Sequence, residues 1–152
     1  MHLIILIGLQ ASGKSTFARA SFADCITVSK DAMRNVRDKN RRQEALIRHA
    51  FDAGRSVVVD NTNPSPAVRA PLLALAREYG ARIIGYYFIS SIEDCLARNR
   101  HRAPPARVPD IALFTTRQQL SAPSFAEGFE EFYNVAIDDE RMDFIVTEWD
   151  NG

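Results

Sequence analysis

The chain has 152 residues, 46% hydrophobic and 25% charged, which is the composition of one globular domain with enough length for a full core. Cys25 and Cys95 lie far apart and His2, His49 and His101 show no ligand spacing. The pattern speaks against a disulfide scaffold or a zinc site, no apolar run reaches the length of a membrane span, and the cysteine usage is read as that of a reducing cytoplasm. The formal net charge is zero, but residues 127–152 hold nine acids and one base. The preceding residues therefore carry an excess of +8, which suits a phosphate-rich ligand, while the acidic tail reads as a solvated face.

The run Leu3-Ile4-Ile5-Leu6-Ile7 reads as a buried parallel strand. It leads into Gly8-Leu9-Gln10-Ala11-Ser12-Gly13-Lys14-Ser15-Thr16, which matches the P-loop pattern of Gly, four residues, Gly-Lys-Ser. Gly8 and Gly13 allow a tight turn whose backbone N–H groups approach phosphate oxygens. Gln10, Ala11, Ser12 and Thr16 complete the loop and open the next helix, whose N-terminus favours an anion. Lys14 has the reach for β- and γ-phosphates, and the Ser15 hydroxyl suits a place beside Mg²⁺. With a strand before it and a helical segment after it, the motif points to nucleotide phosphate binding.

A short strand at Cys25–Val28 follows, and Ser29-Lys30-Asp31 leaves its C-terminal end, where open parallel sheets bind ligands. Asp31 is thus placed near the γ-phosphate, as a base for an attacking hydroxyl, as the N-cap of a helix over Ala32–Val36, or as both, one oxygen serving each role. Arg34 is expected one turn further on, on the same face. The basic stretch 34–48 reads as a solvated helical hinge or as a nucleic-acid or phosphate contact. A helix through Ala45–Phe51 ends at Gly54.

Val57-Val58-Val59 is a third buried strand and delivers Asp60-Asn61-Thr62-Asn63-Pro64 to the same edge. Asp60 is a candidate neighbour of Mg²⁺. The amides and hydroxyl beside it suit orienting an acceptor hydroxyl, or simply form a turn. The helix from Ser65 to Tyr79 is expected to bury Val68, Leu72, Leu75 and Ala76, leaving Arg69 off that stripe near the site edge. A fourth strand at Ile83–Ile89 and a helix from Ile92 precede a segment at about 98–109 with Arg98, Arg100, Arg102, Arg107 and the pair Pro104-Pro105. It reads as a mobile basic lid or as a basic linker. A helix from Val108 to Leu120, a fifth strand at Phe132–Ile137 and a candidate edge strand at Phe144–Val146 complete a single domain over 1–152. The expected architecture is a three-layer α/β P-loop fold with a parallel sheet of about five strands in the order 2-3-1-4-5.

Together these motifs resemble the kinase domain of polynucleotide 5′-hydroxyl kinases, over roughly residues 3–137. Lys30-Asp31 with Arg34 resembles the family's Arg-Asp pair and following arginine, with Lys30 standing where arginine is usual. Asp60-Asn61-Thr62-Asn63-Pro64 with Arg69 resembles the repair-type motif. Arg98 with Arg102 resembles the lid pair, and Ala122–Phe129 resembles a segment near the C-terminus of repair-type members. The resemblance implies an ATP- and Mg²⁺-dependent phosphotransferase. Asp31 would be its general base, and Lys14, Arg98 and Arg102 would neutralise the transferring group. Ser15 and Asp60 would sit at the metal, and Arg34, Thr62, Asn63 and Arg69 would hold the acceptor. That acceptor is the 5′-OH of DNA or RNA, or alternatively the hydroxyl of a small molecule such as a sugar, nucleoside or antibiotic. A non-catalytic ATP-binding module is the third reading.

Overall fold

The computed structural model describes residues 1–141 and 143–149; Asp150 of the acidic tail lies outside the described residues. Five strands run parallel: β1 (His2–Ile7), β2 (Ile26–Val28), β3 (Val57–Asp60), β4 (Arg82–Phe88) and β5 (Glu131–Asp138). A sixth, β6 (Asp143–Glu148), pairs antiparallel with β5, so the sheet order is β2-β3-β1-β4-β5-β6. The expected five-strand order holds, and the candidate edge strand is the sixth member.

The apolar runs are continuous because the inner strands are covered on both faces. On one face Leu3, Ile5, Val57, Val59 and Ile83 pack against α2 (Lys39–Asp52) through Ile47, Ala50 and Phe51, and against α3 (Pro66–Glu78) through Leu72, Leu73 and Ala76. On the other, Ile4, Leu6, Val58 and Ile84 receive Phe17 and Ala18 of α1 (Lys14–Ser21). A smaller cluster joins Leu9 of the loop after β1 to Ile92 and Cys95 of α4 (Ile92–Arg100) and Leu113 of α5 (Asp110–Gln119). This cluster seats the helices that flank the basic segment directly behind the P-loop.

Two local expectations change. No helix occupies 32–36; Lys30–Ala32 is a single 3₁₀ turn, and α2 starts only at Lys39, where Asp38 Oδ1 accepts from Arg41 N at 3.0 Å. On α3 the expected Leu72, Leu75 and Ala76 are buried, but Arg69 and Leu73 join them while Val68 is 43% exposed.

Candidate active site

The loops after β1, β2 and β3 meet at one edge of the sheet. Gly8 N donates to Thr62 O at 3.0 Å, which ties the P-loop to the loop after β3. A Cβ on Gly8 would stand 2.9 Å from Phe88 Cβ, so the loop can pass β4 only without a side chain there. Gly13 has φ +94° at the N-cap of α1, in the left-handed region that a glycine adopts without steric cost. Lys14 Nζ is folded back over this loop and donates to the carbonyls of Gly8 (3.1 Å) and Leu9 (2.5 Å) and to Ser12 Oγ (3.3 Å). Burial pushes the Lys14 ammonium down to about 8; Asp60 and Asp31 oppose the shift, and Arg102 adds to it.

Ser15 Oγ donates to Asp60 Oδ2 at 2.6 Å. A hydroxyl and a carboxylate in contact beside a phosphate loop form a hard-oxygen donor pair that fits Mg²⁺, which takes few protein ligands and completes its shell from phosphates and water. Asn61, next in sequence, is a connector. Its Oδ1 accepts from Lys30 N at 2.8 Å and its Nδ2 donates to Gln43 Oε1 at 2.7 Å. It thereby fixes the turn that carries Asp31 relative to Asp60. Its place in the motif marked it as polar; its partners, from the second strand's loop and from α2, were not legible locally.

Asp31 sits exposed in its 3₁₀ turn. The N-cap reading fails: the cap is Ser29, whose Oγ accepts from Asp31 N at 3.3 Å, and no helix follows. Arg34 lies in the next turn, exposed and off any helix, so it shares no helical face with Asp31. Beside this turn opens a cleft of about 520 Å³ lined by Lys30, Val36, Arg37, Asp38, Lys39 and Asn40. Arg48, at the end of the same basic stretch, is engaged elsewhere, bidentate on Glu78 at 2.8 and 3.0 Å.

Two expected acceptor contacts are corrected. Arg69 is 0% exposed, and its guanidinium grips Glu127 at 2.9 and 3.0 Å and the carbonyls of Asn63 (3.0 Å) and Ser121 (3.1 Å). It has no surface to offer a nucleic acid. Asn63 is buried too, and its Nδ2 donates to Leu6 O at 2.8 Å, pinning the β3 loop onto β1. The family-like segment Ala122–Phe129 owes its character to the same pairing, since Glu127 is its anion and Phe129 packs edge-on against Phe132 in the core.

Beside the basic segment, Arg98, half-buried near the end of α4, reaches Ala11 O at 3.5 Å and Asp139 Oδ1 at 3.7 Å. Gln10 Nε2 donates to Thr116 Oγ1 of α5 at 2.9 Å. The basic segment is thus anchored to the P-loop from both of its flanking helices.

Three comparisons bear on this geometry. The profile of the AAA domain family matches residues 3–123. A bifunctional polynucleotide phosphatase/kinase of Schizosaccharomyces pombe is 29% identical over 136 residues, covering 84% of this chain and 32% of that protein. An L-seryl-tRNA(Sec) kinase of Methanococcus maripaludis is 28% identical, covering 93% of this chain and 61% of that protein. The chain therefore spans about a third of the first relative's length and three-fifths of the second's. Kti12 of Chaetomium thermophilum, solved in complex with ADP-AlF3, shares the fold with a TM-score of 0.70 at 16% identity over 90% of each chain. Among the described residues no helix is long and apolar enough to cross a membrane. A P-loop on a mostly parallel sheet, matched over most of its length by that profile and similar in sequence to kinases, makes this chain a member of the AAA domain family, of the P-loop kinase type.

Proposed function

We propose that the protein transfers the γ-phosphoryl group of ATP to a hydroxyl on a nucleic acid, with the 5′-OH end as the preferred acceptor. The observation that carries this reading is the position of Asp31. It stands in the turn after β2, which Asn61 ties to the Asp60 loop, and the preceding Lys30 lines an open cleft with two further cations, Arg37 and Lys39. Asp38, the one acid in that cleft, is committed to capping α2. A hydroxyl carried by a polyanion suits such a cleft better than a neutral alcohol does. The two curated relatives with nucleic-acid names support the same acceptor class.

In the proposed reaction the acceptor O–H gives its proton to the Asp31 carboxylate. Its oxygen bonds the γ-phosphorus while the bond from that phosphorus to the β–γ bridging oxygen breaks, and ADP leaves with the electron pair. Lys14 and the loop amides hold the donor phosphates, and Arg98 and Arg102 face the charge that develops on the transferring group. Mg²⁺ bound beside Ser15 and Asp60 would supply charge neutralisation on the phosphate oxygens. Arg34 and Thr62, exposed and half-buried at the mouth, are the remaining acceptor contacts.

The decisive test is transfer of labelled γ-phosphate to a 5′-OH oligonucleotide, compared with gluconate, nucleosides and aminoglycosides. Preference for a small alcohol by tenfold or more in kcat/KM would replace the nucleic-acid reading. A second expectation follows from Lys14. Bound phosphates favour its charged form, so above about pH 8 the free lysine must take up a proton on binding. ATP affinity should then fall as pH rises, by up to about tenfold per unit. Calorimetry at pH 9 in two buffers of different ionisation enthalpy reads that proton uptake; none would refute the assignment of Lys14 as a phosphate ligand.

A further inference from the structure

We infer that Asn99 is a positioning residue that holds Arg98 and Arg102 over the phosphate loop by clasping the two ends of the basic segment together. The inference rests on the proposed role of those arginines. Asn99 is 0% exposed, on the core-facing row of α4 that begins with Ile92 and Cys95. Both ends of its amide are used on one residue: Nδ2 donates to Val108 O at 2.7 Å, and Val108 N donates to Oδ1 at 3.1 Å. The side chain meets the Val108 backbone as a neighbouring strand's peptide would. Its own carbonyl accepts from Arg102 N at 3.1 Å, within the turn that ends α4.

One residue therefore fixes the start of the loop through its main chain and the end through its side chain. Arg98 precedes it and Arg102 follows it by less than one turn. A leucine would fill the same core space but leave the Val108 N–H and carbonyl without partners. Asparagine at this place is explained by hydrogen bonding and not by packing. With the neck closed, the part of the segment not held by α4, its closing turn or Val108 shrinks to residues 103–107. Arg102 then stays on the side of Lys14, consistent with its effect on that ammonium.

The test is a double-mutant cycle. Asn99→Ala, Asn99→Asp, Arg102→Ala and the Asn99→Ala/Arg102→Ala pair are assayed for ATP turnover with a 5′-OH oligonucleotide and with water as acceptor. ATP affinity, thermal unfolding and the rate of tryptic cleavage after Arg100, Arg102 and Arg107 are measured on the same samples. We expect Arg102→Ala to lower turnover by on the order of 10²-fold. Asn99→Ala should lower it by about 10–10²-fold with ATP affinity within about threefold, and the pair, in which only the hold on Arg98 is still to be lost, should fall by less than the product of the two single losses. Tryptic cleavage should quicken about tenfold in folded Asn99→Ala. Asn99→Asp, which keeps the acceptor for Val108 N–H, should lie between, and it carries the cycle if Asn99→Ala does not fold.

Losses that multiply in the pair, or a fully active Asn99→Ala beside an impaired Arg102→Ala, would overturn the clasp and leave the lid reading standing. A fully active Arg102→Ala would overturn the lid reading, and the clasp with it.

Discussion

Asp31→Asn should slow phosphoryl transfer by roughly 10²–10⁴-fold while leaving ATP affinity and the melting temperature at their wild-type values. The amide is nearly isosteric but takes no proton. Lys14, Ser15 and the loop amides, which hold the donor, are untouched. Stability should not move because the 3₁₀ turn is closed by atoms other than the Asp31 carboxylate: Ala32 N on Ser29 O at 3.2 Å, Met33 N on Lys30 O at 3.0 Å, and Asp31 N on Ser29 Oγ. Asp31→Ala should behave identically. A shared fall in melting temperature, with transfer and binding lost together, would return Asp31 to a structural role. A fully active Asp31→Asn would end its assignment as the base. Transfer to the oligonucleotide, calorimetric ATP binding and thermal unfolding on both variants decide between these.

Glu127→Ala should cost about 3–5 kcal/mol of stability, the usual penalty for removing one partner of a buried ion pair. For a chain of this size that corresponds to a fall in melting temperature on the order of 10 °C. Glu127 is 14% exposed and Arg69 is not exposed at all, so the guanidinium would keep two carbonyl acceptors and lose its counter-charge. Arg69→Ala should be similarly destabilising. Below their melting transitions both variants should keep the wild-type KM for an oligonucleotide acceptor. A raised acceptor KM in Arg69→Ala, without thermal destabilisation, would instead make this arginine a nucleic-acid contact.

The residues that were legible in the sequence are those whose role is local. Leu3–Ile7, the P-loop, and Val57-Val58-Val59-Asp60 carry strand, turn and ligand chemistry within a few residues, and the contact of Ser15 with Asp60 follows once two such strands are neighbours. Arg69 was misread for a physical reason. A helical pattern ranks Val68 above an arginine for the core, and only Glu127, brought in from the far end of the chain, neutralises the charge and reverses that order. Asn63, Asn61 and Asn99 are similar cases. Each reads as loop or surface chemistry, and each is fixed by a backbone or amide partner that the sequence does not place. Asp31 lies in the turn that follows β2, and the helix expected after it does not form: Asn35, at φ +62°, turns the chain away.

The central position of β1 has a consequence for how the molecule assembles. Leu3 pairs with Val57 on one side and with Ile83 on the other, so the strand that presents the phosphate loop has no neighbour nearby in sequence. Among the described residues, β5 with β6 is the one strand pairing between close neighbours in sequence. Long loops must close before β1 gains any ladder partner, which makes such a topology slow to form relative to local structure. The nucleotide loop is therefore complete only when β3 and β4 have both closed around the strand that carries it.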